Sequence, residues 1–167
     1  MTQLGDIMYV VRNAYSIIKM FTADTLSPLG EGIDIEGMTD PGDIVACHHD
    51  RQLYVAGWND LCIWRVSVDD NSYVKWLRTG NVNRLSLTKD RLLLTSPPRN
   101  LRQYSTTDSR QLRNVQLPRY VKHLYHGIES LRQTFIVGHK GTPEGEQQNA
   151  VSELFKFCHI LKCHQVK

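Results

Sequence analysis

Cysteine is scarce in this sequence, and long apolar runs and a leader-like beginning are missing. Four cysteines in 167 residues (Cys47, Cys62, Cys158 and Cys163) are too few for a small domain held together by disulfides. No run of about 18 apolar residues occurs, so no membrane-spanning helix is expected. Residues 1–6 contain no basic stretch followed by an apolar one, so no signal peptide is expected either. The compartment stays open, with a cytoplasmic location favoured.

The sequence also lacks the common catalytic motifs. It contains no Gly-x-Ser-x-Gly elbow, no His-Glu-x-x-His, no Gly-x-x-x-x-Gly-Lys-Ser/Thr loop and no Gly-x-Gly-x-x-Gly. Acidic residues are plentiful between Asp24 and Asp70, but we expect them to close turns by accepting hydrogen bonds from backbone N–H groups. The sequence therefore predicts a protein that is not an enzyme and that holds no cofactor.

Cysteine and histidine stand together at three places, Cys47-His48-His49, Cys158-His159 and Cys163-His164. A structural zinc ion needs four ligands, typically supplied by two closely spaced pairs. The spacing of Cys158 and Cys163, with no second such pair nearby, fits known zinc sites poorly. No metal site is predicted, and we expect buried cysteines and exposed histidines instead.

The composition itself is that of an ordinary globular domain, but its charge is unevenly distributed. Residues 1–74 carry four Lys/Arg against eleven Asp/Glu, a net charge of −7. Residues 75–122 carry eleven against two, a net charge of +9, and residues 123–167 have a net charge of +1. The basic middle segment would attract an anionic partner. The alternative is that arginines at turns and strand edges are solvated and discourage edge aggregation.

A unit of about 40–46 residues recurs along the chain, and such a period is the first thing to identify in a sequence. A spacing of 40 carries Asp50-Arg51 onto Asp90-Arg91 and Trp64 onto Tyr104. The shared large ring at the second pair of positions is expected to fill the gap between neighbouring units.

Two further matches support the repeat. A spacing of 81 carries residues 51–57 onto residues 132–138, which share an Arg-Gln start and a terminal glycine. A spacing of 46 places Ile17 on Ile63. Together the matches indicate four registers of one unit.

Each unit has the pattern of short strands. The best preserved one predicts four, at Asp43–His48, Gln52–Gly57, Leu61–Val68 and Tyr73–Leu77. The links at 49–51 and 69–71 contain Asp and Asn, which tolerate the left-handed backbone of hairpin turns. Four antiparallel strands in such a repeat are typical of a β-propeller blade, so the fold class predicted is all-β.

The second strand of each unit is apolar without alternation, which is typical of a strand buried on both faces. These segments are Ile7–Val11, Leu53–Ala56, Leu92–Leu94 and Phe135–Val137. A strand is also preferred over a helix at Leu154–Cys158, although Val151 and Leu161 extend a helical spacing there.

The number of units is too small for a closed ring, because propellers typically have 4–8 blades. We predict that residues 1–167 form a single incomplete propeller domain, with blade breaks near 42, 81 and 121. On this interpretation the chain opens at the second strand of one blade and ends late in a fourth, giving about three to four blades. The remaining blades would come from further sequence or from another chain.

The segment Leu53–Val66 resembles an NHL repeat, with an aromatic-Val-Ala strand end, an Asn turn and a short third strand. Residues 8–13 form a weaker copy, and Gly57, Ser96 and Gly138 stand where NHL units usually carry Asp. The YWTD propellers have a similar period, but their Trp-Thr-Asp is missing here. The NHL resemblance implies a non-catalytic platform that binds protein or, in some members, single-stranded RNA.

Loops that join second to third strands, and fourth strands to the next first strand, lie on one face of a propeller. On the predicted strand map these loops contain the candidate binding residues Trp58, Arg78, Arg99, Arg119 and Tyr120. Such types are enriched at interface hot spots, and arginine beside aromatic rings also suits stacking on RNA bases. The alternative for Trp58 is that it covers a neighbouring blade.

The sequence therefore predicts an interaction scaffold that binds a protein or peptide on this loop face. The second hypothesis is a single-stranded RNA binder that uses residues 75–122. His123 and His126, in a predicted innermost strand, would line a central channel, or they are simply exposed or hydrogen-bonded.

Overall fold

A computed structural model describes residues 1–119, 121, 123–129, 135–140 and 158–161, with the backbone alone for residues 123, 139, 140 and 158–161. Within these residues the chain is all-β and contains fifteen strands and no helix. Accordingly, nothing in the described ranges is a helix of the length and apolarity needed to cross a membrane.

The strands form four sheets, and within each sheet they pair antiparallel in the order of the chain. The first sheet contains β1 Thr2–Leu4, β2 Ile7–Val10, β3 Ile17–Thr22 and β4 Ile33–Asp34. The second contains β5 Pro41–Cys47, β6 Gln52–Gly57, β7 Cys62–Ser67 and β8 Tyr73–Arg78. The third contains β9 Arg84–Thr88, β10 Arg91–Ser96, β11 Asn100–Ser105 and β12 Gln111–Gln116. The fourth contains β13 His123–Glu129, β14 Phe135–Lys140 and β15 Cys158–Leu161.

These blade-like sheets confirm the predicted fold class. The continuously apolar segments are the second strands, and residues 53–57 of β6 and 92–96 of β10 are buried throughout. The two predicted turns are present, with left-handed backbone at Arg51 (φ 51°) and Asn71 (φ 59°).

The first strands of successive sheets lie side by side. Asp43 Oδ2 of β5 accepts a hydrogen bond of 2.8 Å from the backbone N of Leu85 in β9. Ser86 Oγ of β9 donates to the carbonyl of Gly127 in β13 at 2.6 Å, and Thr88 Oγ1 donates to that of Glu129 at 3.5 Å. β9 and β13 thus run parallel, 41 residues apart, as the innermost strands of neighbouring propeller blades would.

Three apolar clusters fill the gaps between the four sheets. The first and second sheets share the first cluster, which includes Tyr9, Ile18 and Trp64. The second lies between the second and third sheets, and the third between the third and fourth. Each sheet is therefore buried by its neighbours in the chain rather than by one central core.

One detail of the predicted strand map was wrong, and another lies mostly outside the described residues. The chain opens at a first strand, because β1 pairs with β2 through Thr2 and Tyr9. The predicted strand Leu154–Cys158 shares only Cys158 with the third strand of the fourth sheet, which is β15. Its residues 154–157 lie outside the described residues. One sheet ends and the next begins at 34–41, 78–84 and 116–123. That residues 1–167 form a single incomplete propeller domain stays a prediction.

The pairing register tests the three sequence matches. The spacing of 81 is wrong by one residue, because Leu53 and Val55 face the preceding sheet in the first cluster, whereas in the fourth sheet Phe135 and Val137 do so, a spacing of 82. The spacing of 46 is wrong by one residue, since Tyr9 pairs with Met20 as Tyr54 pairs with Arg65, a spacing of 45.

The spacing of 40 is wrong by two residues in the third strand. Trp64 pairs with Val55, whereas Tyr104 pairs with Leu92. Gly57 pairs with Cys62 and Ser96 pairs with Asn100, so counting from the first pair of each hairpin places Arg102 at the position of Trp64.

Candidate functional site

The predicted loops stand at one end of the sheets, which we call the loop end. It consists of the β6–β7 loop (58–61), the β10–β11 loop (97–99), the β8–β9 connection (79–83) and the described residues of the β12–β13 connection. In the second and third sheets, the loop between the second and third strands is hydrogen-bonded to the residue that follows the fourth strand. Thr79 N donates to the carbonyl of Leu61 at 2.8 Å, and Leu117 N donates to that of Arg99 at 2.8 Å.

Trp58 packs on the first strand of its own sheet. A Cβ placed on Gly42, in β5, would lie 1.9 Å from the indole Nε1, so the ring occupies the space above this glycine. The backbone N of Trp58 donates to the carbonyl of Asp40 at 3.1 Å. The side chain remains partly accessible, with 37% of the residue exposed.

The three predicted arginines are all at the loop end. Arg78 ends β8 and is exposed, Arg99 is half-buried in the β10–β11 loop, and Arg119 is exposed in the β12–β13 connection. Tyr120 lies outside the described residues. The mutual spacing of the guanidinium groups, and hence one positive patch, stays a prediction.

Other basic residues of segment 75–122 point to different partners. Arg91 Nη1 lies 3.4 Å and Arg113 Nη1 3.7 Å from Oε1 of Glu129, whose side chain is buried. Arg110 lies 3.7 Å from Asp108, in the turn at the opposite end of the third sheet. The basic segment is therefore divided among several environments.

Two further arginines at the loop end were not among the binding residues predicted from the sequence. Arg84 Nη1 donates to the carbonyl of Gly42 at 3.2 Å and so lies beside β5, the strand whose Gly42 is covered by the Trp58 indole. Arg102 lines a cavity of about 350 Å³ together with Asn81, Ser96, Asn100 and three further residues. No sequence signal indicated Arg102, because the apparent spacing of 40 matched Tyr104, rather than Arg102, with Trp64.

A second cleft, of about 510 Å³, lies at the opposite end of the same two sheets. It is lined by Asp50, Tyr54, Arg65 and Thr106 among others. Burial raises the pKa of Tyr54 to about 12, so its hydroxyl is neutral at physiological pH. A neutral phenol there acts as a hydrogen-bonding group rather than as a base.

The residues with metal-binding chemistry are dispersed where they are described. Cys47 and Cys62 are buried free thiols, and burial raises the pKa of both. The described ranges hold no group of three or more Cys, His, Asp or Glu suited to a metal ion. His126 is exposed on β13, and the side chains of Cys158, His159, Cys163 and His164 lie outside the description.

Among the solved structures that share this fold, two differ in origin. One is the hydrazine synthase of Kuenenia stuttgartiensis, with a TM-score of 0.68 and 11% identity over 81% of this chain and 40% of that chain. The other is the computationally designed Ika4 protein, with a TM-score of 0.62 and 12% identity over 84% of each chain. The chain thus spans less than half the length of the hydrazine synthase chain, and at these identities the likeness concerns the fold alone. No family matches the sequence, and no curated protein matches it.

Proposed function

We propose that this protein is a non-catalytic scaffold of the NHL-like propeller type, which binds a polypeptide at its loop end. The observation that carries this proposal is the partly exposed indole of Trp58, held in place over Gly42. Arg84 donates to the carbonyl of that glycine, and Arg78 ends a strand of the same sheet as Trp58. Tryptophan and arginine are the residue types enriched at protein-binding hot spots.

The distribution of the basic residues favours a polypeptide over RNA. Arg91 and Arg113 lie against Glu129, and Arg110 lies against Asp108 at the other end of the sheet. Their charges are offset within the protein and would add little to phosphate binding. Single-stranded RNA binding by residues 75–122 is therefore the second hypothesis.

The remaining blades of the predicted propeller would pack against the outer face of the fourth sheet. Gly127 of β13 faces the third sheet, where an added Cβ would lie 3.2 Å from Leu101 and Thr95. Ile128 therefore faces away from that sheet, because side chains alternate along a strand, and it is 41% exposed. We propose that further sequence or another chain supplies the next blade against this face.

Selection from a displayed random-peptide library tests the leading hypothesis. We expect peptides that bind the wild-type chain and lose binding to Trp58→Ala. Against an acidic peptide, the triple variant Arg78→Glu, Arg99→Glu, Arg119→Glu should also lose binding. Its thermal unfolding should change little, since Arg78 and Arg119 are exposed and the half-buried Arg99 lies in a loop. Peptides that bind both variants as well as wild type would contradict the proposal.

Fluorescence anisotropy with a labelled single-stranded RNA tests the alternative. Binding through phosphates releases counterions, so the affinity would fall steeply and log-linearly with salt concentration. If the RNA binds with such a slope, and the triple variant removes it while no peptide is selected, the RNA hypothesis replaces the first.

A further inference from the structure

The gap between the first and second sheets is closed at the loop end by a carboxylate. Asp60 accepts hydrogen bonds from the backbone N of Thr39 at 2.9 Å, from the Thr39 hydroxyl, and from Nε1 of Trp64 at 3.0 Å. Gly57 leaves room for it, because a Cβ there would lie 2.8 Å from Oδ2 of Asp60. The protein thus contains its own example of a carboxylate bound at the loop end, between a third strand and the connection that leads into the same sheet.

The next gap, between the second and third sheets, lacks this carboxylate. By the pairing register Ser96 stands at the position of Gly57, and Arg102 stands at the position of Trp64. The β6–β7 loop has four residues and includes Asp60, whereas the β10–β11 loop has three, Pro97-Pro98-Arg99. The shorter loop contains no acidic residue to occupy the equivalent space.

A cavity of about 350 Å³ lies at this place. Arg102 Nη2 donates to Oγ of Ser96 at 2.8 Å, but its Nε is buried and has no acceptor among the described residues. Asn81, Asn100 and Asn114 complete much of the lining, together with Gly80 and Pro97. Arg102 thus lines the cavity with no carboxylate partner among the described residues, and a carboxylate matches the planar fork of arginine.

We propose that this cavity binds a carboxylate, supplied by an Asp or Glu side chain of a partner polypeptide. The proposal rests on the function proposed above and names the chemistry of the partner at the same loop end. Asp60 supports a carboxylate over a phosphate, because a carboxylate already occupies the equivalent place one gap earlier. The asparagine amides add donors to the second oxygen.

Titration of small carboxylates into the ¹⁵N-labelled full chain tests this site without a protein partner. N-acetyl-aspartate N-methylamide represents an acidic side chain, N-acetylglycine represents a chain terminus, and inorganic phosphate represents a nucleic-acid or phosphopeptide ligand. We expect the aspartate probe to shift the backbone amide signals of Gly80, Asn81 and Asn100 saturably. N-acetylglycine and phosphate should bind more weakly.

Two variants assign the binding to Arg102. Arg102→Gln should weaken the aspartate probe by at least about tenfold, the loss expected for a hydrogen bond to a charged group. Arg110→Gln makes the same change in charge on an exposed arginine at the opposite end of the sheet and should leave binding unchanged. Equal affinities of the wild type and Arg102→Gln would overturn the proposal, as would tighter binding of phosphate than of the aspartate probe.

Ser96→Asp provides a test that does not depend on removing Arg102. It would place a carboxylate within reach of the guanidinium, as Asp60 does in the preceding gap, so the variant should unfold at a higher temperature and no longer bind the probe. A variant that is folded and still binds the probe would contradict the inference. Because these titrations use no peptide, failure of the carboxylate site is distinguishable from failure of peptide selection on Trp58.

Discussion

Trp58 and Gly42 illustrate how a candidate functional residue depends on one without a side chain. The indole lies where any Cβ at position 42 would be, and Arg84 donates to the carbonyl of the same glycine. The position of the ring is thus set by the missing atoms of a residue 16 positions earlier in the chain.

Substitution of this glycine should displace the ring. In Gly42→Ala the new methyl group would lie within 2.5 Å of three indole atoms, so we expect the indole to move out and the free energy of unfolding to fall by about 1 kcal/mol, the low end for overpacking. The Trp58 indole N–H signal, assigned with Trp58→Phe, reports the movement. Gly80→Ala is the control, because nothing lies within 4 Å of an added Cβ there. An unshifted indole signal in Gly42→Ala would contradict this account.

Asp60 is the other residue whose surroundings determine its chemistry. Burial opposes its ionisation, but the hydrogen bonds from Thr39 and Trp64 outweigh burial and hold its pKa below the ordinary value of 3.8. A carboxyl whose pKa is lower in the folded state stabilises the fold above its unfolded pKa. That contribution disappears as the pH falls through the lower, folded pKa.

Asp60→Asn should therefore reduce the free energy of unfolding at pH 7 by about 1–2 kcal/mol, because hydrogen bonds to a charged group are replaced by weaker ones. The wild type should lose this advantage on acidification below about pH 4, near the pKa of an unfolded aspartate. Urea unfolding of both proteins between pH 7 and pH 2.5 measures the difference. Asp6→Asn, in the exposed β1–β2 turn, should show neither effect. A difference that stays constant down to pH 2.5 would be inconsistent with the role given to Asp60.

At the scale of whole strands, one buried acidic side chain of β13 contacts several strands of the third sheet. Glu129 is 8% exposed and accepts a hydrogen bond of 2.7 Å from Nε2 of Gln103. Arg91 and Arg113 lie on its other oxygen. Three strands of the third sheet thus contact one residue of the next sheet.

Removing this carboxylate would take away the buried anion that Arg91 and Arg113 both approach. We expect Glu129→Ala to lower the free energy of unfolding by about 3 kcal/mol, as for a buried ion pair broken on one side, and Glu129→Gln to lower it by less. Hydrogen exchange should become faster in β13 before it does in the first two sheets. Glu36→Ala is a suitable control, since Glu36 is exposed and its backbone N makes the contact to Tyr73. Uniform loss of protection over all sheets would argue against a local link.

The whole molecule is an array in which each sheet is buried by its neighbours. Its three apolar clusters lie in successive gaps, and the described part has no cluster shared by all four sheets. Stability in such arrays is approximately the sum of each unit and its interfaces with adjacent units.

Phe135→Ala should show this property. Phe135 is fully buried in the third cluster, so its loss should cost about 3–5 kcal/mol. We expect urea unfolding to separate into two steps, with the fourth sheet lost first and the first sheet retained. Tyr73→Phe keeps the ring that faces Trp64 in the first gap and should preserve a single transition. One cooperative transition in Phe135→Ala would mean that the sheets are coupled more strongly than their separate clusters indicate.

Much of the architecture followed from local patterns. Apolar second strands and polar turns predicted the all-β class and the strands of the second sheet, because these signals depend on neighbouring residues only. The NHL relationship, the binding function and the roles of Trp58, Arg78, Arg99, Arg119 and Tyr120 remain predictions.

The sequence by itself determined which segments become strands, and the tertiary structure decided which side chains meet. A β10–β11 loop one residue shorter than its counterpart, together with a different first hairpin, moved Arg102 rather than Tyr104 onto the position of Trp64. Such a change leaves the local pattern almost intact, yet register determines what every side chain faces. The contact of Trp58 with Gly42, the environment of Glu129 and the cavity at Arg102 depend on residues brought together from different strands, so local sequence carried no signal for them.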